Sequence, residues 1–162
     1  MPTGLIVESF YFETGIFEFH MSSSVLVDAP AKRVWRVISD AARWSEWADV
    51  CTRVWDSLDE QTWKPGHKFG FMLKMAGKSV PFSVTVSRIK TGKLIEWKST
   101  KFTITAVRTI SIELGNDQCK VTDSKHFSSY VLPIRFAYPR KVIRRMTESW
   151  LSDLKQEAEL SE

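Results

Sequence analysis

Along this chain the spacing of apolar positions switches between two and three-to-four residues, and each switch marks an element. Val25 and Val27 alternate as in a half-buried strand. Asp28 follows, and Pro30 then suits the first turn of a helix, where its missing N–H leaves no partner unsatisfied. Val34, Val37, Ile38 and Ala41 recur at helical spacing, and Asp40 is placed to cap a second short helix with Trp44 and Trp47 on one face. From Cys51 the period returns to two. A strand is expected from Cys51 to Leu58, a turn at Pro65-Gly66, and a strand from Lys68 to Met75 with Phe69, Phe71, Leu73 and Met75 on one face. After a reversal at Ala76-Gly77, Val80, Phe82, Val84 and Val86 oppose Ser79, Ser83, Thr85 and Ser87. Pro81 has no ladder donor and belongs at the start of that strand or on a free edge.

Thr91-Gly92 turns into Lys93–Lys101, where Ile95 and Trp97 oppose Glu96 and Lys98. In the next strand Ile104, Ala106, Ile110, Ile112 and Leu114 share a face with Arg108, and after Gly115-Asn116-Asp117 a last strand runs from Cys119 to Ser128. Strands this close in sequence, joined by turn residues, predict an antiparallel meander. From Tyr130 the period changes again. Pro133 and Pro139 limit a loop, and a long helix is expected from about Pro139 to Leu160, with Ile143, Met146, Trp150, Leu151 and Leu154 as its apolar stripe. Ahead of all this, Met1–His20 reads as two alternating aromatic segments around Thr14-Gly15, a hairpin or an extended first strand that acts as an extra edge strand, a lid or a dimer contact.

The succession strand, Ala-Pro, Val-Trp, Ser-Asp and Trp-x-x-Trp between Ser24 and Trp47 resembles the opening of the SRPBCC superfamily. These are the START-like and polyketide-cyclase-like proteins that share the helix-grip fold with the birch-pollen-allergen family. Trp150–Glu159 resembles the closing helix of the same family. The resemblance implies an α+β helix-grip fold: a curved antiparallel sheet of about seven strands, two short helices, and a long C-terminal helix across the concave face. It places one domain over residues 22–162, after an N-terminal extension of residues 1–21. It also implies a container for an apolar ligand, with Trp47 beside the pocket and Trp44 as a core anchor.

Composition narrows the function classes. A chain of 162 residues can bury a sizeable core as one domain. Ten Phe and seven Trp suit either a large core or an aromatic-walled pocket. The net charge of +4 is too weak a bias to indicate nucleic-acid binding, and Arg140, Lys141, Arg144 and Arg145 read as a solvated helix face. Cys51 and Cys119 match no metal or redox spacing and are expected as buried thiols in a reducing compartment. Met1–His20 lacks a basic n-region and carries Glu8, Glu13 and Glu18, unlike a secretory signal, and no apolar run reaches membrane-spanning length. The expectation is a soluble cytoplasmic protein, monomer or homodimer, with no nucleic-acid partner and no stable membrane insertion.

Candidate chemistry is sparse. The sequence contains no Gly-rich phosphate loop, no G-x-S-x-G and no His-Glu-x-x-His. His20, His67 and His126 lack the spacing of a shared metal site, so neither a metal nor a cofactor is expected. The sharper candidates are polar residues in phase with apolar ones: Arg108 between Ala106 and Ile110, and Asp123 and Lys125 between Val121 and Phe127. A charge on a core-facing position must be paired or face a wet cavity. Arg108 and Asp123 therefore read either as a structural ion pair or as groups that orient a carboxylate, hydroxyl or carbonyl on a ligand. Phe71, Phe82, Val84 and Trp97 are expected as floor and walls of the cavity, and Met146 and Trp150 as its roof.

Three functions fit these residues. The first is binding, transport or sequestration of a small hydrophobic ligand such as a lipid or aromatic polyketide-like metabolite. The second is an enzyme resembling polyketide cyclases and aromatases, with Asp123 or His126 as acid/base and Arg108 stabilising an enolate. The third is a protein-interaction module docking through the N-terminal aromatic strand.

Overall fold

The computed structural model describes residues 6–13, 17–57, 59, 61–115, 117–131, 133 and 139–160, with strand pairing alone for 6–13. The reversal expected at Thr14-Gly15, Leu58, Asn116 and most of the stretch between Pro133 and Pro139 lie outside the described residues.

One antiparallel sheet of eight strands organises the chain. They are β1 (Ile6–Glu13), β2 (Glu18–Val27), β3 (Cys51–Trp55), β4 (Lys68–Met75), β5 (Lys78–Lys90), β6 (Leu94–Lys101), β7 (Ile104–Leu114) and β8 (Cys119–Ser129), in the order β1-β2-β8-β7-β6-β5-β4-β3. Strands β3 to β8 form the expected meander, and β2 closes against β8 from Glu18↔Ser128 to Val27↔Cys119. The seven expected strands are β2 to β8. β1 adds an eighth at the edge, paired with β2 from Ile6↔Val25 to Glu13↔Phe19, and β2 runs unbroken through Met21-Ser22.

Between β2 and β3 stand α1 (Ala31–Ser39), a 3-10 turn (Ala41–Arg43) and the single-turn α2 (Trp44–Trp47); α3 (Arg140–Leu160) closes the fold. Asp40 makes no side-chain cap in this structure; its backbone N–H instead donates to Arg36 O at 3.1 Å. α3 lays Ile143, Thr147, Trp150, Leu151, Leu154 and Ala158 against the sheet, the helical spacing that gives one buried face. Its C-terminal half is tied to the loops around it and to the end of β2. Asp153 accepts from Asp49 N (2.9 Å), Glu159 from Asp28 N (2.8 Å), and Lys155 donates to Leu26 O (2.9 Å).

Alternation within each strand sets the two faces of the sheet. Val25, Val27, Ile95, Ile110 and Val121 are buried on the concave side with α1 and α3, and Trp44 is buried at the centre of this core. Trp63, from the β3–β4 connection, joins them and donates its Nε1–H to Ser39 O at 2.6 Å. On the convex side the Trp55 indole covers Gly70, where a Cβ would come within 2.0 Å of Trp55 Cε2.

Pro81 occupies the fourth position of β5 rather than its start, yet it keeps a free flank. The pairing of β5 with β6 begins only at Thr85↔Lys98, so Lys78–Val84 is laddered to β4 alone. The β6–β7 reversal is a two-residue turn at Phe102 and Thr103, with φ of 51° and 69°. Left-handed φ at an aromatic and a β-branched residue is strained, where Asn or Gly is the usual choice. Among the described residues no helix is long and apolar enough to cross a membrane.

Candidate functional site

A cavity of about 310 Å³ lies between the N-terminal half of α3 and the concave sheet, toward the β6–β7 turn. Phe71 of β4, Phe82 and Val84 of β5 and Trp97 of β6 form its floor and walls. Met146 and Trp150 of α3 cover it, with Ile143 beside them. Ala106 and Phe127 continue the lining, which also includes Lys101 and Phe102 beside the β6–β7 turn and Pro139 just before α3. Phe102 is 80% exposed there. An apolar pocket with few polar groups is the usual form of a small-molecule site.

Polar side chains in the lining are Ser99 and Lys101 of β6, Thr147 of α3, and Arg108 and Lys125, which share one row of the sheet. Strand register sets Trp97 opposite Arg108 and Arg108 opposite Lys125, so alternation brings all three side chains to the concave face. Asp123, two residues before Lys125, is fully buried beneath them. It accepts from Arg108 Nη2 (2.7 Å), from Arg108 Nε (3.1 and 3.2 Å) and from Lys125 Nζ (3.1 Å). The Arg108 guanidinium is held between two indoles, 5.2 Å from the Trp97 ring and 4.7 Å from that of Trp150. Such cation–π contacts contribute about 0.5 to 2 kcal/mol each. Lys125 also donates to Thr147 Oγ1 at 2.6 Å, and Thr147 donates to Ile143 O one turn back at 2.8 Å.

Electrostatics follow from this packing. Burial pushes the Asp123 carboxyl up, but the charges of Arg108 and Lys125 and their hydrogen bonds outweigh it and hold the group below the usual carboxylate range. Lys125 goes the other way. Burial lowers its ammonium to about 8, Asp123 opposes the shift and Arg108 adds to it. One carboxylate thus serves two cations, and both cations, unlike Asp123, line the cavity.

The candidates named from the sequence therefore separate. Phe71, Phe82, Val84, Trp97, Arg108, Met146 and Trp150 line the cavity. Asp123 supports the wall from below. Trp47, expected beside the pocket, is not among the lining residues and packs against Trp150, ring centroids 5.3 Å apart. Trp44 is the core anchor: it is 2% exposed, its Nε1–H donates to Ile38 O at 3.0 Å, and its ring meets those of Phe69, Phe71, Trp97 and Trp150. His126 alternates to the convex face, where it pairs with Glu18 at 3.0 Å and stacks on His20 with centroids 4.0 Å apart. Sequence reasoning passed over Thr147. Its position between Ile143 and Trp150, in phase with the apolar stripe, is the same signal that singled out Arg108. Among the described residues no group of three His, Cys, Asp or Glu side chains is placed to hold a metal.

Comparisons with known proteins agree with this architecture. The chain superposes on the Zhui aromatase/cyclase from Streptomyces sp. R1128 with a TM-score of 0.72 at 15% identity, covering 88% of this chain and 94% of that one. A START superfamily protein from Mycobacterium smegmatis matches with a TM-score of 0.70 at 18% identity, over 86% and 97% of the two chains. Ginseng major latex-like protein 151 from Panax ginseng matches with a TM-score of 0.72 at 9% identity, over 90% and 99%. At such identities the likeness is one of fold. No curated protein matches by sequence. The family model described as "Polyketide cyclase / dehydrase and lipid transport" matches residues 18–159, nearly the whole sheet and all but the tip of α3, and the chain belongs to that family within the START-like SRPBCC superfamily.

Proposed function

We propose that this protein binds a small hydrophobic molecule, a lipid or an aromatic polyketide-like metabolite, in the cavity under α3, and carries or sequesters it in the cytoplasm. The observation that supports this reading is the lining itself: aromatic and aliphatic side chains from β4, β5, β6 and α3 converge on about 310 Å³, with few polar groups among them. Burial of ligand surface supplies most of the affinity in such a site, at about 25 cal/mol per Å² of apolar area. The buried free thiols of Cys51 and Cys119 fit a reducing compartment. Catalysis is the weaker reading. Asp123, with its oxygens held by two cations, is a poor base, and His126 has no access to the cavity from the convex face.

Native mass spectrometry of the purified protein, followed by organic extraction, tests the proposal. A discrete adduct lost on denaturation, or saturable fluorescence of the neutral probe N-phenyl-1-naphthylamine, is the expected result. An adduct-free mass together with no probe binding rejects it.

A further inference from the structure

The row of charges that crosses the cavity is unbalanced, and the imbalance has a direction. Asp123 accepts from both Arg108 and Lys125, and as a single carboxylate it leaves one positive charge uncompensated in a mainly apolar wall, whose other polar side chains are Ser99, Thr147 and, beside the β6–β7 turn, Lys101. Donors are left over as well. Arg108 directs Nε and Nη2 at Asp123, which leaves both N–H groups of Nη1 without an acceptor among the described residues. Lys125 uses two of its three ammonium protons, on Asp123 and Thr147. Both side chains are nearly enclosed, at 13% and 14% exposure, so water reaches them little. A structural ion pair needs only one cation for one anion. Two cations that share a buried carboxylate, both at the surface of a cavity, form a site short of one anion.

We infer that the cavity takes an amphiphile with a single ionised acid group, a carboxylate for instance, seated against Arg108 Nη1 and Lys125 Nζ with its apolar body toward Phe82, Ala106 and Met146. The inference rests on the cavity-binding function proposed above and specifies the ligand for it. A neutral alcohol or ester of the same shape gains the apolar contacts and leaves the excess charge in place. The ionised acid gains charge-assisted hydrogen bonds in a poorly solvated site, where they are strongest.

A dependence on pH follows. The charged or titratable groups packed around Lys125 are Asp123 on its own strand and Arg108 on β7; α3 presents Thr147, β6 presents Trp97 and β2 places Met21 opposite. Of these, Asp123 is held below the usual carboxylate range and Lys125 is lowered to about 8, so Lys125 is the group that changes state in mildly alkaline solution. When it loses its proton the row becomes neutral and the preference for an anion falls.

The test uses the full chain with N-phenyl-1-naphthylamine as a neutral reporter, displaced by dodecanoic acid or by dodecan-1-ol. The acid is expected to compete at least about tenfold better near pH 7, the step a charge-assisted hydrogen bond supplies. This advantage should shrink several-fold between about pH 7 and 10. In Lys125→Met the remaining Arg108–Asp123 pair is neutral, and the acid should lose most of its advantage. Equal competition near pH 7 overturns the inference, as does an acid preference unchanged in Lys125→Met; if that variant does not fold, a wild-type preference that stays flat up to about pH 10 overturns it. A reporter that never binds rejects the cavity-binding function itself, so the two failures are told apart.

Discussion

The two halves of the space under α3 are built from the same materials and packed to different ends. Beneath the C-terminal half, Leu151, Leu154 and Ala158 are fully buried and Trp44 meets four aromatic neighbours and Trp63, so the sheet is filled to its surface. Toward the N-terminal half, Phe71, Phe82, Ile143 and Met146 surround a void of similar chemistry. Composition does not separate the two regions. What differs is the contacts of α3: Asp153, Lys155 and Glu159 tie its C-terminal half to the chain around it, and Thr147 meets Lys125 of the charged row beside the cavity. The cavity lies at the end of α3 away from these ties, and Arg108 and Lys125 line it while Asp123 lies buried beside them.

Substitutions at the two ends should differ most in stability. Trp44→Ala removes the centre of the filled end and should cost about 4 to 5 kcal/mol in urea unfolding, whereas Phe82→Ala, half-buried beside existing space, should cost about 1 kcal/mol. Similar costs for the two would erase the distinction. Asp123→Asn leaves two cations without their counter-charge and should cost about 3 to 4 kcal/mol while strengthening retention of dodecanoic acid.

Lys125 gives a smaller effect with a defined sign. Its native pKa of about 8 lies below the ordinary 10.5, so between these values the unfolded chain holds a proton that the native protein has released. The stability of the wild type relative to Lys125→Met should therefore rise as pH increases from about 8 towards 10 and stay level between about 6 and 7. A flat difference across the whole range would place Lys125 in water. Least disturbing of all, Ala106→Phe should fill the open end, leaving the melting temperature within about 2 °C of wild type while abolishing binding of N-phenyl-1-naphthylamine. A large loss of stability would mean the space was already occupied by packed side chains.

Much of this was legible in the residues. Period-two alternation located β4 to β8 because each strand has one buried and one wet face, and the stripe of Ile143, Trp150, Leu151 and Leu154 located α3 for the corresponding reason. Arg108, Asp123 and Lys125 declared themselves as charges in an apolar phase. Other features carried no periodic signal. Trp63 is a core residue in an irregular connection, and nothing in its neighbours distinguishes it from a surface aromatic. Whether Trp47 touches the cavity or stands one ring behind it depends on the placement of a single-turn helix, a displacement of a few ångströms that spacing does not encode. Whether Phe71 and Met146 meet or stand apart depends likewise on the tilt of α3.

The free flank of β5 has a kinetic meaning. Along Lys78–Val84 no strand ladder joins β5 to β6, and the described tie across that gap is a side chain, Lys101 Nζ donating to Pro81 O at 3.1 Å, with the same ammonium 5.3 Å from the Phe82 ring. The side chains at this gap are those of Lys101, Phe82 and Phe102, and no β5–β6 ladder would have to break for them to move. Of these side chains Phe102 is exposed, and rotamer changes of exposed residues take picoseconds to nanoseconds, far less than local unfolding. For the proposed cavity-binding function, this gap would let contents exchange by side-chain movement alone, with residence time set by what holds the ligand inside.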